Sequence, residues 1–376
     1  MWVSCGLRSV FKTLHITHET LHKKYERSEY LQYMNRRLRI GIIGCGVITQ
    51  WAHIPALFSK DLEIPYDGKY YPDFNNFIPY PRNRKYCIRP QLQAICDLNQ
   101  QNLKRVAHQT NIYRVYTDMH KMLSEEKLDA VLLACFYTDN AKLIPQIAKY
   151  KVHILVEKPL ARTLQEGIQI KKSVQENNII LHVGFMRRYS YAYRLMKQML
   201  ETRQYGELKS LSMNFWAGNI ESFHENGIHA FDIFQYMGGR VKRVYAENNN
   251  ISTHITVRFD NGVIGSMAMT DAPLLHQITN ERMVATTSEG VQLIAEGGRR
   301  LFISKKGSPC ELLEPCEFVH YYPATSIRGF SEEWRTFLHA IATGEKCGCD
   351  IDEGLKSLRF KESVIKSIKY GKPVEC

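Results

Sequence analysis

The chain has 376 residues, is 44% hydrophobic and 23% charged, and carries a formal net charge of +12. These proportions are those of a soluble globular protein with chain enough for two domains and sizeable cores. No apolar run reaches the about 18 residues of a membrane span, and no nucleic-acid-binding motif accompanies the basic excess, so a solvated basic surface accounts for it.

The ten cysteines are scattered, and only Cys347-Gly-Cys349 is a close pair. No second pair stands at zinc-site spacing, so the reading is reduced thiols in a cytoplasmic protein with no metal site.

Residues 1–37 are set apart as a basic extension, for residues 1–40 hold eight Lys/Arg against three Glu. They lack the about 7–15-residue apolar core of a signal peptide. An added amphipathic helix is one reading, and Met34 as the biological start is another. The first strand follows, with Leu38, Ile40, Ile42 and Ile43 ending in Gly44-Cys45-Gly46, and a helix-compatible segment then runs to about Phe58. Strand, glycine turn, helix is the context of a dinucleotide-binding turn. Gly44 permits the tight turn, and Gly46 lets backbone approach a pyrophosphate at the helix N-terminus. Val47 and Ile48 complete this cofactor-binding turn. Thr49 stands where the third glycine of the fingerprint belongs, implying looser helix–strand packing or a hydroxyl near the phosphates. An ordinary strand-to-helix turn is the bland alternative.

Residues 59–90 are rich in tyrosine, phenylalanine and proline, a composition that argues against regular structure and against plain disorder alike. They read as a packed insertion: a partner-contact loop, a flap over the cofactor, or a surface excursion without function. Leu92–Asp97 is the second strand. A carboxylate at its end, Asp97, accepts hydrogen bonds from an adenosine ribose and repels a 2′-phosphate, favouring NAD over NADP. Its alternative is the N-cap of a helix over 99–109. Strands at 115–116, 128–136, 152–156 and 179–183 alternate with helices near 119–123, 140–150 and 164–177. The pattern predicts a doubly wound parallel sheet.

From Gly206 the texture changes. Seven strand candidates (208–216, 241–247, 253–259, 262–270, 282–287, 291–296 and 300–305) come with little helix, and Asp260-Asn261-Gly262 is a hairpin turn between two of them. This predicts an open, mostly antiparallel sheet whose exposed face needs cover, for example by a second subunit. Helices return at 331–342 and 353–370. The division expected is 38–160 for the Rossmann domain with its 59–90 insertion, 161–330 for a substrate-binding and oligomerisation domain opening with the last Rossmann helix and strand, and 331–376 for helices packing back on the first.

Several motifs now line up: the glycine turn with His53-Ile-Pro-Ala-Leu57, Ile95-Cys-Asp97, Glu157-Lys-Pro-Leu-Ala161, Gly184-Phe-Met-Arg-Arg-Tyr189, Gly206-Glu-Leu208 and Gly227-Ile-His-Ala-Phe-Asp232. In this order the chain resembles the glucose–fructose oxidoreductase, inositol dehydrogenase and MocA-like family, from about Leu38 to the C-terminus. Gly184–Tyr189 with Ala192-Tyr193 looks most like the inositol and cyclitol dehydrogenases. The resemblance implies hydride transfer between NAD or NADP and a hydroxyl carbon of a small-molecule sugar, aminosugar or cyclitol. The exposed face of the second-domain sheet makes a homo-oligomer, dimer or tetramer, the expectation. Relatives that use transient oxidation for glycoside hydrolysis or isomerisation supply an alternative, and a non-catalytic nucleotide-binding regulator is another.

Hydride transfer needs a base for the hydroxyl proton and a cation or donor beside the oxygen. Lys158, after Glu157 at a parallel strand's carboxyl end, suits the second role; both residues are expected to border the cofactor, and a surface lysine is the alternative. His229 matches the family's histidine and suits the first, since imidazole titrates near working pH; a helix-start histidine satisfied in the core is the alternative. Glu225 stands where the family usually has Asp. It can orient His229 or bind a substrate hydroxyl, with its carboxylate displaced by about a bond length. His224 is a spare candidate. Arg187 binds substrate or forms a surface salt bridge, and Asp232 reads as structural. At 135–140 the chain keeps neither the Pro nor the His that the family often shows, though Tyr137 can lie against a nicotinamide.

Overall fold

The computed structural model describes residues 37–58, 89–249, 251–271, 281–314 and 328–376. The basic extension up to residue 36 and nearly all of the 59–90 segment lie outside these residues.

Six strands form the first sheet: β1 (Arg37–Ile43), β2 (Arg89–Cys96), β3 (Val115–Tyr116), β4 (Ala130–Leu133), β5 (His153–Glu157) and β6 (Leu181–Gly184). All pair in parallel, in the order β3-β2-β1-β4-β5-β6. Parallel strands are covered on both faces, so they read as near-continuous apolar runs. β4, Ala-Val-Leu-Leu, is wholly buried. The helices α1 (Ile54–Leu57), α2 (Gln100–Thr110), α3 (Met119–Glu125), α4 (Asn140–Ala148) and α5 (Leu164–Asn177) are interleaved with the strands. Strand order reverses between β1 and β4, and ligands of such sheets bind in the crevice at the strands' carboxyl ends there. Among the boundaries that differ from expectation are those of β2 and β4. β2 begins at Arg89, so the end of the supposed insertion belongs to the strand, and the apolar run 128–136 gives a strand of only four residues.

After α6 (Tyr191–Glu201) comes a nine-stranded sheet: β7 (Leu208–Trp216), β8 (Val241–Asn248), β9 (Ser252–Phe259), β10 (Ile264–Thr270), β11 (Arg282–Thr287), β12 (Gln292–Glu296), β13 (Arg300–Ser304), β14 (Glu311–Leu313) and β15 (Val374–Glu375). Its order is β14-β13-β12-β11-β7-β10-β9-β8-β15, antiparallel throughout except for β7 beside β10. On β7, Leu211, Met213 and Phe215 point inward while Ser212 and Asn214 are exposed. That period-2 alternation is what one buried face requires. Against it lie α7 (Ile228–Gly238) and α9 (Ile351–Tyr370), joined by edge-to-face contacts of Phe231 with Phe223 and Phe360. Among the described residues α7 lies within the strand-rich half. α8 (Phe330–Thr343) returns to the first sheet, where Trp334 meets His53.

One buried ion pair ties these parts together. Arg188 donates to Asp232 at 2.8 and 2.5 Å and to Glu353 of α9 at 2.9 Å, and Ser357 also donates to Asp232. Removing one partner strands a buried charge, which costs about 3–5 kcal/mol. Asp232→Ala is therefore expected to lower the unfolding free energy by about 3 kcal/mol, the smaller figure because Glu353 stays. Urea titration followed by circular dichroism measures it.

Candidate active site

The turn after β1 is built as its residues require. Gly44 has φ of +97°, and a Cβ there would lie 2.3 Å from the Ala134 carbonyl oxygen. A Cβ on Gly46 would meet nothing within 4 Å, so this backbone borders open space. Val47 beside it is 82% exposed. Thr49 does not reach toward that space: its buried hydroxyl donates to the Gly44 carbonyl at 2.6 Å. The residue that replaces the third glycine thus closes the turn from within, and the looser packing or phosphate-facing hydroxyl anticipated for it is not what it provides. Ile48 is half-buried and leads into a π-helical turn over Thr49–His53.

Asp97 sits just past β2 and accepts from the Cys45 N–H at 2.6 Å and the Asn99 N–H at 2.7 Å. The N-cap of α2 is Asn99, whose side chain accepts from Gln101 and Asn102, so the capping role does not fall to Asp97. Its carboxylate is tied to the glycine turn instead.

At the end of β5, Glu157 is buried and Lys158 half-buried. Glu157 Oε1 lies 2.7 Å from His53 Nε2, and Oε2 accepts the Lys158 N–H at 3.1 Å. Burial alone would raise the Glu157 pKa, but His53 and the Lys158 charge bring it below the usual value. Burial lowers the Lys158 pKa; Arg187 lowers it further, while Glu157 and Glu225 oppose the shift. Asn140, buried at the start of α4, donates to the carbonyls of Pro159 and Leu160 at 3.1 Å each. It braces the loop that carries the lysine.

The second half of the chain meets this loop directly. Lys158 Nζ donates to the backbone carbonyl of Glu225 at 2.7 Å. The Glu225 side chain is exposed and His229 is buried, because a π-helical turn over Phe223–Gly227 precedes α7 and breaks the simple four-residue register. Burial, then the charges of Arg187 and Lys158, hold the His229 pKa well below the ordinary histidine value. The imidazole is therefore neutral at pH 7. Its Nδ1 is buried without a hydrogen-bond partner among the described residues. His224 stacks parallel to Tyr137 with centroids 6.4 Å apart, and its Nδ1 lies 3.0 Å from Lys361 Nζ. Arg187 is half-buried and forms a forked pair with the buried Glu281 at 3.0–3.1 Å. Its guanidinium lies 5.2 Å from the Phe215 ring centroid.

A protein-family model described as an oxidoreductase family with an NAD-binding Rossmann fold, the glucose–fructose oxidoreductase, inositol dehydrogenase and MocA-like group, matches residues 38–185. Over these residues the chain is similar to that family. It is 26% identical over 313 residues to the uncharacterized oxidoreductase YrbE of Bacillus subtilis, covering 76% of this chain and 89% of that protein. It is 21% identical over 312 residues to myo-inositol 2-dehydrogenase of Thermotoga maritima, with 76% and 90% covered. In fold it is similar to an oxidoreductase from Agrobacterium radiobacter in complex with NAD+, L-tartaric acid and magnesium, with a TM-score of 0.74 and 18% identity over 90% of this chain and 98% of that one.

The turn after β1 has the features that such a dinucleotide-binding fold needs. Open space at Gly46 lies beside the start of a helical segment, and the Asp97 carboxylate stands at the end of the neighbouring strand. Of the residues singled out from sequence, the structure joins Glu157, Lys158 and the Glu225 backbone by hydrogen bonds, and the charges of Arg187 and Lys158 act on His229. Tyr137 joins through His224. Sequence reasoning missed His53 and Asn140 as braces and Glu281 as the partner of Arg187. His53 had a signal, its place in the His-Ile-Pro-Ala-Leu motif. Glu281 had none, being 94 residues from the arginine it holds.

Proposed function

We propose that the protein transfers a hydride between NAD and a secondary hydroxyl carbon of a sugar or cyclitol. When bound, the nicotinamide supplies the hydride acceptor or donor. The Lys158 ammonium stabilises negative charge on the substrate oxygen, and the neutral His229 imidazole takes the hydroxyl proton. The observation that carries this reading is the bond from Lys158 Nζ to the Glu225 carbonyl, which sets the lysine against the turn leading into His229. An unsatisfied buried polar atom calls for an explanation, and for His229 Nδ1, which has no partner among the described residues, a proton-accepting role supplies one. The exposed Glu225 carboxylate and the Arg187 guanidinium serve substrate hydroxyls. The names of the curated relatives support the cyclitol class. A panel of cyclitols and sugars, screened by NADH fluorescence with Lys158→Ala as control, tests the proposal. Absence of NAD(H) or NADP(H) binding by calorimetry overturns it.

Cofactor choice is assigned to Asp97, in favour of NAD. A hydrogen bond to a charged group contributes about 1.5–3 kcal/mol, so Asp97→Ser is expected to weaken NAD binding about tenfold or more. NADP is expected to lose less, which narrows the preference. Calorimetric titration with both nucleotides reads the two affinities.

A further inference from the structure

His53 is wholly buried, yet its ring faces a carboxylate. Phe330 and Trp334 of α8 pack edge-on against it, with centroids 5.3 and 6.1 Å away. Its Nε2 meets one oxygen of Glu157 at 2.7 Å while the other oxygen accepts the Lys158 N–H. One carboxylate therefore links a ring carried on the turn after β1 to the peptide of the lysine after β5. A carboxylate this buried stays ionised only when hydrogen-bonded or paired.

The surrounding charges narrow the possibilities. The charges of Glu157 and Glu333 of α8 oppose each other, but Glu333 is fully buried and burial pushes its pKa well above the ordinary value, which favours its uncharged form. Arg187 also acts on Lys158 but is committed to Glu281. Glu225 acts on Lys158 less than Glu157 does and is exposed. Glu157 is the anion that most favours the charged lysine, and His53 is the side chain that holds Glu157.

We propose that His53 is a positioning residue for Lys158: by keeping the Glu157 carboxylate in place and ionised, it fixes both the backbone and the charge of the lysine. The inference rests on the role given to Lys158 above, but its test does not use turnover. The full chain is treated with acetic anhydride across a pH series, and acetylation of Lys158 is followed by mass spectrometry in wild type, His53→Phe, His53→Gln and Glu157→Gln. Phenylalanine keeps the ring against Phe330 and Trp334 and removes the hydrogen bond; glutamine at 53 keeps a donor. The midpoint of Lys158 is expected to fall by about one unit in His53→Phe and Glu157→Gln, which is about tenfold faster labelling at a fixed pH below the midpoint. His53→Gln is expected to stay near wild type. An unchanged midpoint in His53→Phe makes His53 a packing residue and overturns the proposal. If that variant fails to fold, an unchanged midpoint in Glu157→Gln overturns it equally. Labelling needs no substrate, so a wild-type chain that never turns over sinks the dehydrogenase reading without deciding this one.

Discussion

Lys158→Ala is expected to lower kcat by about 10²–10⁴-fold, the range attached to a positioned acid–base group, while NAD affinity changes only a few-fold. The separation follows from the geometry. The alanine variant keeps the backbone N–H that Glu157 accepts, and it loses only the bond from Nζ to the Glu225 carbonyl. The glycine turn and Asp97 lie on other elements and are untouched. Stopped-flow single-turnover kinetics with NADH fluorescence separates the chemical step from binding. A loss confined to KM would assign Lys158 to substrate binding alone.

The same variant carries a pH signature. Burial lowers the Lys158 pKa from its ordinary value, and Arg187 adds to the shift. The ammonium is the working form, so kcat/KM should fall as pH rises through that lowered pKa, and the basic limb should lie below the ordinary lysine range. In Lys158→Ala the residual activity should lack that limb. A limb that persists unchanged belongs to another group.

How far the sequence revealed this site depends on how local each feature is. The helix 164–177 was legible to the residue, because Thr163 caps it by accepting the Glu166 N–H and Asn178 ends it in a left-handed conformation. The glycine turn and the strands carrying Asp97 and Lys158 were legible for the same reason: turn chemistry and apolar runs are short-range. The extent of α7 was not, since nearly all its residues are buried, and a helix apolar on all sides has no 3.6-residue contrast to read. The placement of Glu225 was hidden in the π-helical turn before it, which sends the carboxylate outward and presents the carbonyl to Lys158. His53 and Glu157 are 104 residues apart and Arg187 and Glu281 are 94 apart. Only the assembled sheets bring such pairs together, and no periodicity in the chain announces them.

His229→Asn is expected to reduce kcat by about 10²–10³-fold, within the range of general-base removal, and to change the response to acid in a defined direction. Burial, with Arg187 and Lys158 adding to it, holds the His229 pKa well below 6.5 in the folded chain. The neutral ring is the proton acceptor, so the acid limb of kcat/KM in wild type should lie well below the ordinary histidine range and disappear in the variant. Stability follows the same linkage. The folded pKa lies below the unfolded one, so the unfolded chain binds the extra proton first. The stabilisation from a neutral His229 is therefore complete above about pH 6.5 and is lost as pH falls through the folded value. His182, with a pKa pushed down to about 3 by burial and the Arg188 charge, works in the same sense. Urea unfolding of wild type should weaken steadily below about pH 6.5, and His229→Asn should flatten that slope without abolishing it, because His182 remains. A slope identical in the two proteins would mean that folding does not lower the His229 pKa, and the displaced acid limb argued from that shift would fall with it.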